Sequence, residues 1–275
     1  MVFNAVVPDY QVRPLLWRKL RICCVRLNLE DEHFSNEIRI RYDTIQELIN
    51  ICEIGDGDLF SGLGTLEDCF RMLSYVLFRS LPFPERIEYN ALDMEIPFLD
   101  PEWEYLELVH DFFLKLVCFG VASQVKVTCP HIRIDNLRSV ISTSFLRNYT
   151  YLLLSQDARE RSIVQLGVHH LYSRLCQRRG LIRHVFSEML SNIITLNDRV
   201  VGVEEILTIY NSIVCGFVLP IRREHVQFLK HCILPLHKLN HLPEFSGTLT
   251  NCLLLFISRD HDLVVPVAVS GRDEE

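Results

Sequence analysis

Asp100-Pro101-Glu102-Trp103-Glu104-Tyr105-Leu106-Glu107-Leu108-Val109-His110-Asp111-Phe112-Phe113-Leu114-Lys115-Leu116-Val117 decides the fold class. Within it Tyr105, Leu108, Val109, Phe112, Phe113, Leu116 and Val117 follow the i, i+3, i+4, i+7 spacing of one face of an α-helix. Asp100-Pro101 ahead of them supplies an N-cap followed by proline at N1, where the missing N–H has no intrahelical partner to lose. The same period recurs along the chain and predicts helices near 14–29, 36–53, 60–80, 101–118, 134–154, 158–176, 180–196, 202–217, 222–233 and 247–258.

Two of these starts carry the spacing of a capping box, Thr65-x-x-Asp68 and Asp157-x-x-Glu160. Period-two alternation is scarce; Val125-Lys126-Val127-Thr128 is the best example and is too short to found a sheet. The chain reads as all-α. Successive helical pairs begin near 14, 60, 134, 180 and 222, several of them at intervals close to the roughly 40–47 residues of HEAT-type hairpins. The expected architecture is a HEAT-like α-solenoid of about five hairpins over residues 14–258, with an extension over 1–13 and a tail over 259–275. Loop-like insertions at 81–99 and 119–133 widen the third interval.

Composition narrows the function. Of 275 residues 49% are hydrophobic and 23% charged, which excludes a disordered or low-complexity chain. A formal charge of −7 disfavours general adhesion to nucleic acid or anionic membrane, since phosphate backbones need a basic face. The longest uncharged run, Ile206 to Ile221, contains Asn211, Ser212 and Pro220 and falls short of a membrane span, which needs roughly 18 or more apolar residues. The ten cysteines form no C-x-x-C and lie mostly in apolar stretches, and the N-terminus shows no secretory pattern; both point to reduced thiols in the cytosol or nucleus.

Read in order, several segments carry a more specific signal. They are Lys19-Leu20-Arg21-x-Cys23-Cys24-Val25, Phe78-Arg79-Ser80-Leu81-Pro82, and Trp103-x-x-Leu106-x-Leu108-Val109-x-x-Phe112-Phe113-Leu114. Asp157-x-Arg159-Glu160-Arg161, His169-x-x-Tyr172, Ser212-Ile213-x-x-Gly216-Phe217-x-Leu219-Pro220, Glu224-His225 and Leu234-Pro235-Leu236-His237-Lys238 follow. Collinear from Lys19 to about Pro266, they resemble the B-prime family of regulatory subunits of protein phosphatase type 2A. The resemblance implies a HEAT-like solenoid without catalysis or cofactor of its own. Such a subunit joins a scaffold and a catalytic subunit and recruits substrates carrying a Leu-x-x-Ile-x-Glu motif. By position it implies a peptide groove of His169, Tyr172, Arg179, Ile209, Ile213 and Arg222.

The residues can be read without the family. Ile209 and Ile213 share a helical face, while Val203, Ile206, Leu207, Tyr210, Val214 and Phe217 already form a core stripe on the same helix. A helix apolar on two sides is either wholly buried or offers its second side to a partner, and the pattern alone leaves both open; the resemblance favours the groove. Arg174, Arg178, Arg179, Arg183, Arg222 and Arg223 cluster in sequence around it. They form either a solvated edge or a basic border suited to an acidic peptide with apolar anchors.

Other chemistry is poorly supported. His169 and His170 with Tyr172 lack a nucleophile motif and an orienting carboxylate, which argues against catalysis. His231, Cys232, His237 and His241 match no zinc-finger spacing and are broken by Pro235, so no metal is expected; His184-x-x-x-Glu188 reads as a helix-surface pair. No phosphate-cradling glycine loop is present.

Three departures from the family stand out. His170 replaces the arginine that normally follows the groove histidine, which predicts weaker motif binding that improves below about pH 6.5 if His170 takes part. The acidic loop before the tryptophan is reduced to two carboxylates in Ala91-Leu92-Asp93-Met94-Glu95-Ile96-Pro97, and the resemblance ends near Pro266. Two functions are therefore carried forward. One is a phosphatase regulatory subunit with His169, His170, Tyr172, Arg179, Ile209, Ile213 and Arg222 as its peptide site. The other is a free-standing peptide-binding solenoid, without holoenzyme assembly, that acts as a competitor.

Overall fold

The computed structural model describes residues 9–27, 32–54, 58–81, 97–117, 132–196 and 201–264. Among them every regular element is helical, in keeping with the all-α, HEAT-like class. The α-helices are α1 (Asp9–Cys23), α2 (Ser35–Ile54), the single turn α3 (Asp58–Ser61), α4 (Leu63–Leu77), α5 (Trp103–Val117), α6 (Ile134–Val140), α7 (Thr143–Tyr151), α8 (Ala158–Arg174), α9 (Arg179–Leu196), α10 (Val203–Cys215), α11 (Arg223–Phe228) and α12 (Leu242–Arg259). They divide into two compact units. Of the described residues, the first comprises those within 9–80, 97–149 and 170–176, and the second those within 150–169 and 177–264 together with Leu81.

In the first unit α5 is the central element. The predicted stripe is buried except at Leu108, and Trp103, Leu106 and His110 are buried as well, so the helix is enclosed on more than its predicted face. Lys115, buried among them, is paired with Glu53 at 2.8 Å. Phe70, Phe113, Phe145 and Tyr149 form an aromatic cluster, with Phe113 and Tyr149 at 4.4 Å and Phe70 and Phe145 at 5.0 Å. Asp100 caps the entry as read from sequence: its carboxylate accepts from the Glu102 N–H at 2.9 Å and meets Arg79 at 2.7 Å. The Arg41 guanidinium lies 3.6 Å above the Tyr105 ring, and the Tyr105 hydroxyl donates to the Cys23 carbonyl at 2.7 Å. Burial pushes the Cys23 thiol up to about 12, which leaves it a small hydrophobe rather than a nucleophile.

In the second unit α10 and α12 are the principal pair, joined by the stacked rings of Tyr210 and Phe256 at 6.1 Å, and Phe228 of α11 stacks on Tyr210 at 4.3 Å.

The structure corrects several boundaries. Helix α1 begins at Asp9 and ends at Cys23, where a helix over 14–29 was expected. Thr65 is not an N-cap, because α4 starts two residues earlier after Gly62; Asp68 instead pairs with Arg71 at 3.0 Å. The helix expected over 134–154 breaks at Ile141-Ser142, where the Ser142 hydroxyl accepts from the Phe145 N–H at 3.0 Å and starts α7. After α11 the backbone widens into a π-turn (Leu229–Ile233) and then tightens into a 3-10 turn (Leu234–Lys238) that accommodates Pro235 near its start. The alternating stretch 125–128, the depleted acidic segment 91–96 and most of both predicted insertions lie outside the described residues.

Candidate functional site

The site lies between α8 and α10 in the second unit, just beyond the first turns that anchor them. Asp157 is the N-cap of α8: its carboxylate accepts from the Arg159 N–H at 2.9 Å and from the Arg159 guanidinium at 2.7 Å. Asp157 and Glu160 are both fully buried, so this predicted capping pair is built into the interior. Arg161, one residue on, donates to the carbonyls of Ser155 and Gln156 at 2.9 and 3.1 Å and to the Glu205 carboxylate of α10 at 2.7 Å. The start of α10 is held from the other side by Gly202, whose φ of +85° suits glycine. A Cβ there would lie 2.2 Å from the Leu153 carbonyl oxygen. Both helices are thereby fixed at their N-terminal ends.

Between them lies a depression of about 380 Å³ lined by Ser162, Ile163, Gln165, Leu166 and His169 of α8 and by Thr208, Ile209 and Ser212 of α10. Ile209 forms its floor and is only 1% exposed; Ile213, one turn on, is 6% exposed. The second apolar side of α10 is thus largely covered by the fold itself, leaving a narrow pocket in place of an open strip. His169 is exposed at the edge. The Thr208 hydroxyl donates to the Glu204 carbonyl at 2.8 Å, so toward a ligand it can only accept.

The remaining predicted residues are placed less uniformly. Arg179, half-buried, opens α9, and Arg222, exposed, is the N-cap of α11. His170 and Tyr172 are half-buried on the last turns of α8, which belong to the first unit. The basic border is not continuous: Arg174 donates to the Val117 carbonyl within the first unit, and Arg183 pairs with Glu224 at 2.8 Å within the second. Phe217 is not part of the α10 stripe, since the helix ends at Cys215; its ring lies 4.0 Å from that of His225. His225 is buried with the Tyr210 hydroxyl 3.4 Å from its Nδ1. Burial first, then the Arg183 charge, pull its imidazole down to about 4. Two members of the histidine and cysteine cluster have other partners: the Cys232 thiol meets the Ser187 hydroxyl at 3.2 Å and His241 meets Glu244 at 3.1 Å. His184 and Glu188 stand 3.5 Å apart as the helix-surface pair read from their spacing.

The family model described as protein phosphatase 2A regulatory B subunit (B56 family) matches residues 3–270. The chain belongs to the B56 family. It is 29% identical over 255 residues to the B′ alpha isoform of the 57 kDa regulatory subunit of serine/threonine protein phosphatase 2A from Arabidopsis thaliana, covering 90% of this chain and 49% of that protein. It is 28% identical over 254 residues to the alpha isoform of the 56 kDa regulatory subunit of Mus musculus (92% and 50%), and 26% identical over 268 residues to the delta 1 isoform of Schizosaccharomyces pombe (96% and 46%). The chain spans about half the length of these curated relatives. All three are named as regulatory subunits, and the family is non-catalytic.

Sequence reading of this B56-family chain missed the α8 wall of the depression. Ile163 and Leu166 lie three residues apart, with His169 three further on, while Val164, Val168 and Leu171 face the core. The same two-sided pattern that drew attention to α10 was therefore present on α8, masked by the polar residues between.

Proposed function

We propose that the chain acts as a non-catalytic regulatory subunit of protein phosphatase 2A. In this reading it binds the scaffold and catalytic subunits and holds substrates bearing Leu-x-x-Ile-x-Glu in the depression between α8 and α10. Tethering there raises the substrate's effective concentration at the catalytic subunit. The observation that carries the reading is the meeting of His169 and Ile209, both assigned to the groove by the family resemblance, in the lining of one depression within a B56-family chain. Its residues are those of the second unit: His169 at the edge, Ile209 and Ile213 beneath, and Arg179 and Arg222 as the cations assigned to the motif's glutamate.

Co-purification of the protein with scaffold and catalytic subunits tests assembly. Calorimetry with a Leu-x-x-Ile-x-Glu peptide against wild type and His169→Ala tests the site; equal affinity would sink it. His169 is the better target than Ile213, because Ile213→Asp would place a carboxylate in a buried position and unfold the site rather than probe it. Companion measurements at pH 6 and pH 8 on wild type and His170→Gln separate the share of His170 from that of His169: participation of His170 requires tighter binding at the lower pH that the variant loses.

A further inference from the structure

We propose that the outer face of α1, in the first unit, is a docking surface for an anionic lipid bilayer. This goes beyond the peptide-site reading and does not depend on it. From Tyr10 to Leu29 the chain carries Arg13, Arg18, Lys19, Arg21 and Arg26 and not one Asp or Glu, within a protein of formal charge −7. Packing of α1 on α2 and α4 sorts these cations. Lys19 is buried with Leu16, Leu20 and Cys23 and pairs with Glu47, whereas Arg13, Arg18, Arg21 and Arg26 are exposed. Among the described residues none of these exposed arginines meets a carboxylate, and Asp68 of the neighbouring α4 is taken by Arg71 at 3.0 Å.

Arg13, Trp17 and Arg21 follow one another at four-residue intervals, so they form one ridge along α1, and Val25 continues the interval just past the helix end. Trp17 is 46% exposed and Val25 45%. The Arg21 guanidinium lies 4.7 Å from the centre of the Trp17 ring, and that of Arg26 lies 5.3 Å from the ring of Tyr75, a 51% exposed residue of α4. Cationic and apolar surface therefore alternate along the outside of the helix. A bilayer meets both halves of this pattern at once. Headgroup phosphates accept from the guanidinium N–H groups, while the indole, the phenol ring and the valine enter the boundary between headgroups and acyl chains, where Trp and Tyr are favoured. An acidic peptide or a nucleic acid duplex would answer the charge and leave Val25 in water. No helix among the described residues is long and apolar enough to cross a membrane, so the contact is peripheral. The acidic remainder of the chain is repelled by the same lipid, which confines the contact to α1 and orients the protein on the surface.

The test is sedimentation of the whole chain with vesicles of phosphatidylcholine alone and of an equimolar phosphatidylcholine–phosphatidylserine mixture, with tryptophan emission as a second readout. Trp103, the other tryptophan, is buried, so the change reports Trp17. Wild type is expected to bind the mixed vesicles, to ignore phosphatidylcholine and to be released by salt, with its emission moving to the blue and becoming shielded from an aqueous quencher. The double variant Arg18→Ala, Arg21→Ala should bind about thirtyfold more weakly, at about fivefold per arginine, and Trp17→Ala about tenfold more weakly. These side chains are exposed, so urea midpoints of the variants should match wild type and separate lost binding from lost folding. Failure of wild type to bind the mixed vesicles, equal binding by the arginine variant, or a Trp17 that stays open to the quencher on the vesicles would each overturn the proposal. Capture of polyglutamate or duplex DNA by the same arginines without vesicle binding would overturn it in favour of an acidic protein or a nucleic acid. Full release by soluble glycerophosphoserine would overturn it in favour of a site for the free headgroup.

Discussion

Helices α5 and α8 both carry apolar residues on more than one side, yet they end in opposite circumstances. On α5 the extra apolar positions Trp103 and Leu106 are enclosed along with the predicted stripe, and the charged Lys115 reaches its partner Glu53. On α8 the core side is sealed by Val164, Val168 and Leu171, while Leu166 is left open toward the depression it shares with Ile209. Periodicity reports how many sides of a helix are apolar; only packing decides which of them are closed. A two-sided helix is a structural strut when neighbours cover both faces and a candidate recognition element when one is left partly uncovered.

The contrast can be broken most forcefully at Phe113. Its ring touches those of Phe70, Phe145 and Tyr149, so Phe113→Ala is expected to cost about 3–5 kcal/mol in urea unfolding, whereas Leu166→Ala should fall within about 0.5 kcal/mol of wild type. Comparable losses at both positions would mean that α8 is as closed as α5. A smaller effect is expected at the N-terminal clamp of the open pair. A double-mutant cycle with Arg161→Ala and Glu205→Ala should return a coupling of about 1–3 kcal/mol for the part-buried charge pair alone, since the bonds from Arg161 to the two carbonyls cancel from the cycle. Arg161→Lys is expected to recover only part of it, since an ammonium cannot reproduce the guanidinium's fork.

The last effect appears only in acid. His225 is held neutral in the fold and drawn down to about 4, so the unfolded chain takes up a proton first as pH falls. Its contribution to stability is complete above the ordinary imidazole value of about 6.5 and is lost as pH drops from there toward 4. Urea midpoints for wild type and His225→Gln measured between pH 7 and pH 4.5 should show the shallower decline in the variant. Parallel curves would remove His225 from the acid response.

Much of the fold was legible because the strongest signals were local. Asp100-Pro101 announced α5 and Asp157-x-x-Glu160 announced α8, and in both the carboxylate at the start accepts a first-turn N–H. Thr65-x-x-Asp68 has equivalent spacing but sits inside α4, because Gly62 ends the preceding turn and the helix begins before the threonine. A capping pattern identifies a helix start only if the residues before it do not start one first. At the site, Ile209 and His169 were legible from helical spacing together with the family resemblance. Leu166 was not, since no local rule states which apolar residue its neighbours will fail to cover. The partners of the neighbouring arginines were not legible either: Arg183 meets Glu224 and Arg174 a backbone carbonyl, both distant in sequence and invisible to charge counting.

The fastening of α8 and α10 at their first turns is continued along the whole depression. His169 lies eight residues beyond Arg161, about 12 Å along the helix at 1.5 Å per residue. Over that length Val164 and Val168 anchor α8 in the core, and Tyr210 and Val214 anchor α10 beside Thr208, Ile209 and Ser212. The width of the depression is therefore set by the interior behind its walls and exists before any occupant arrives.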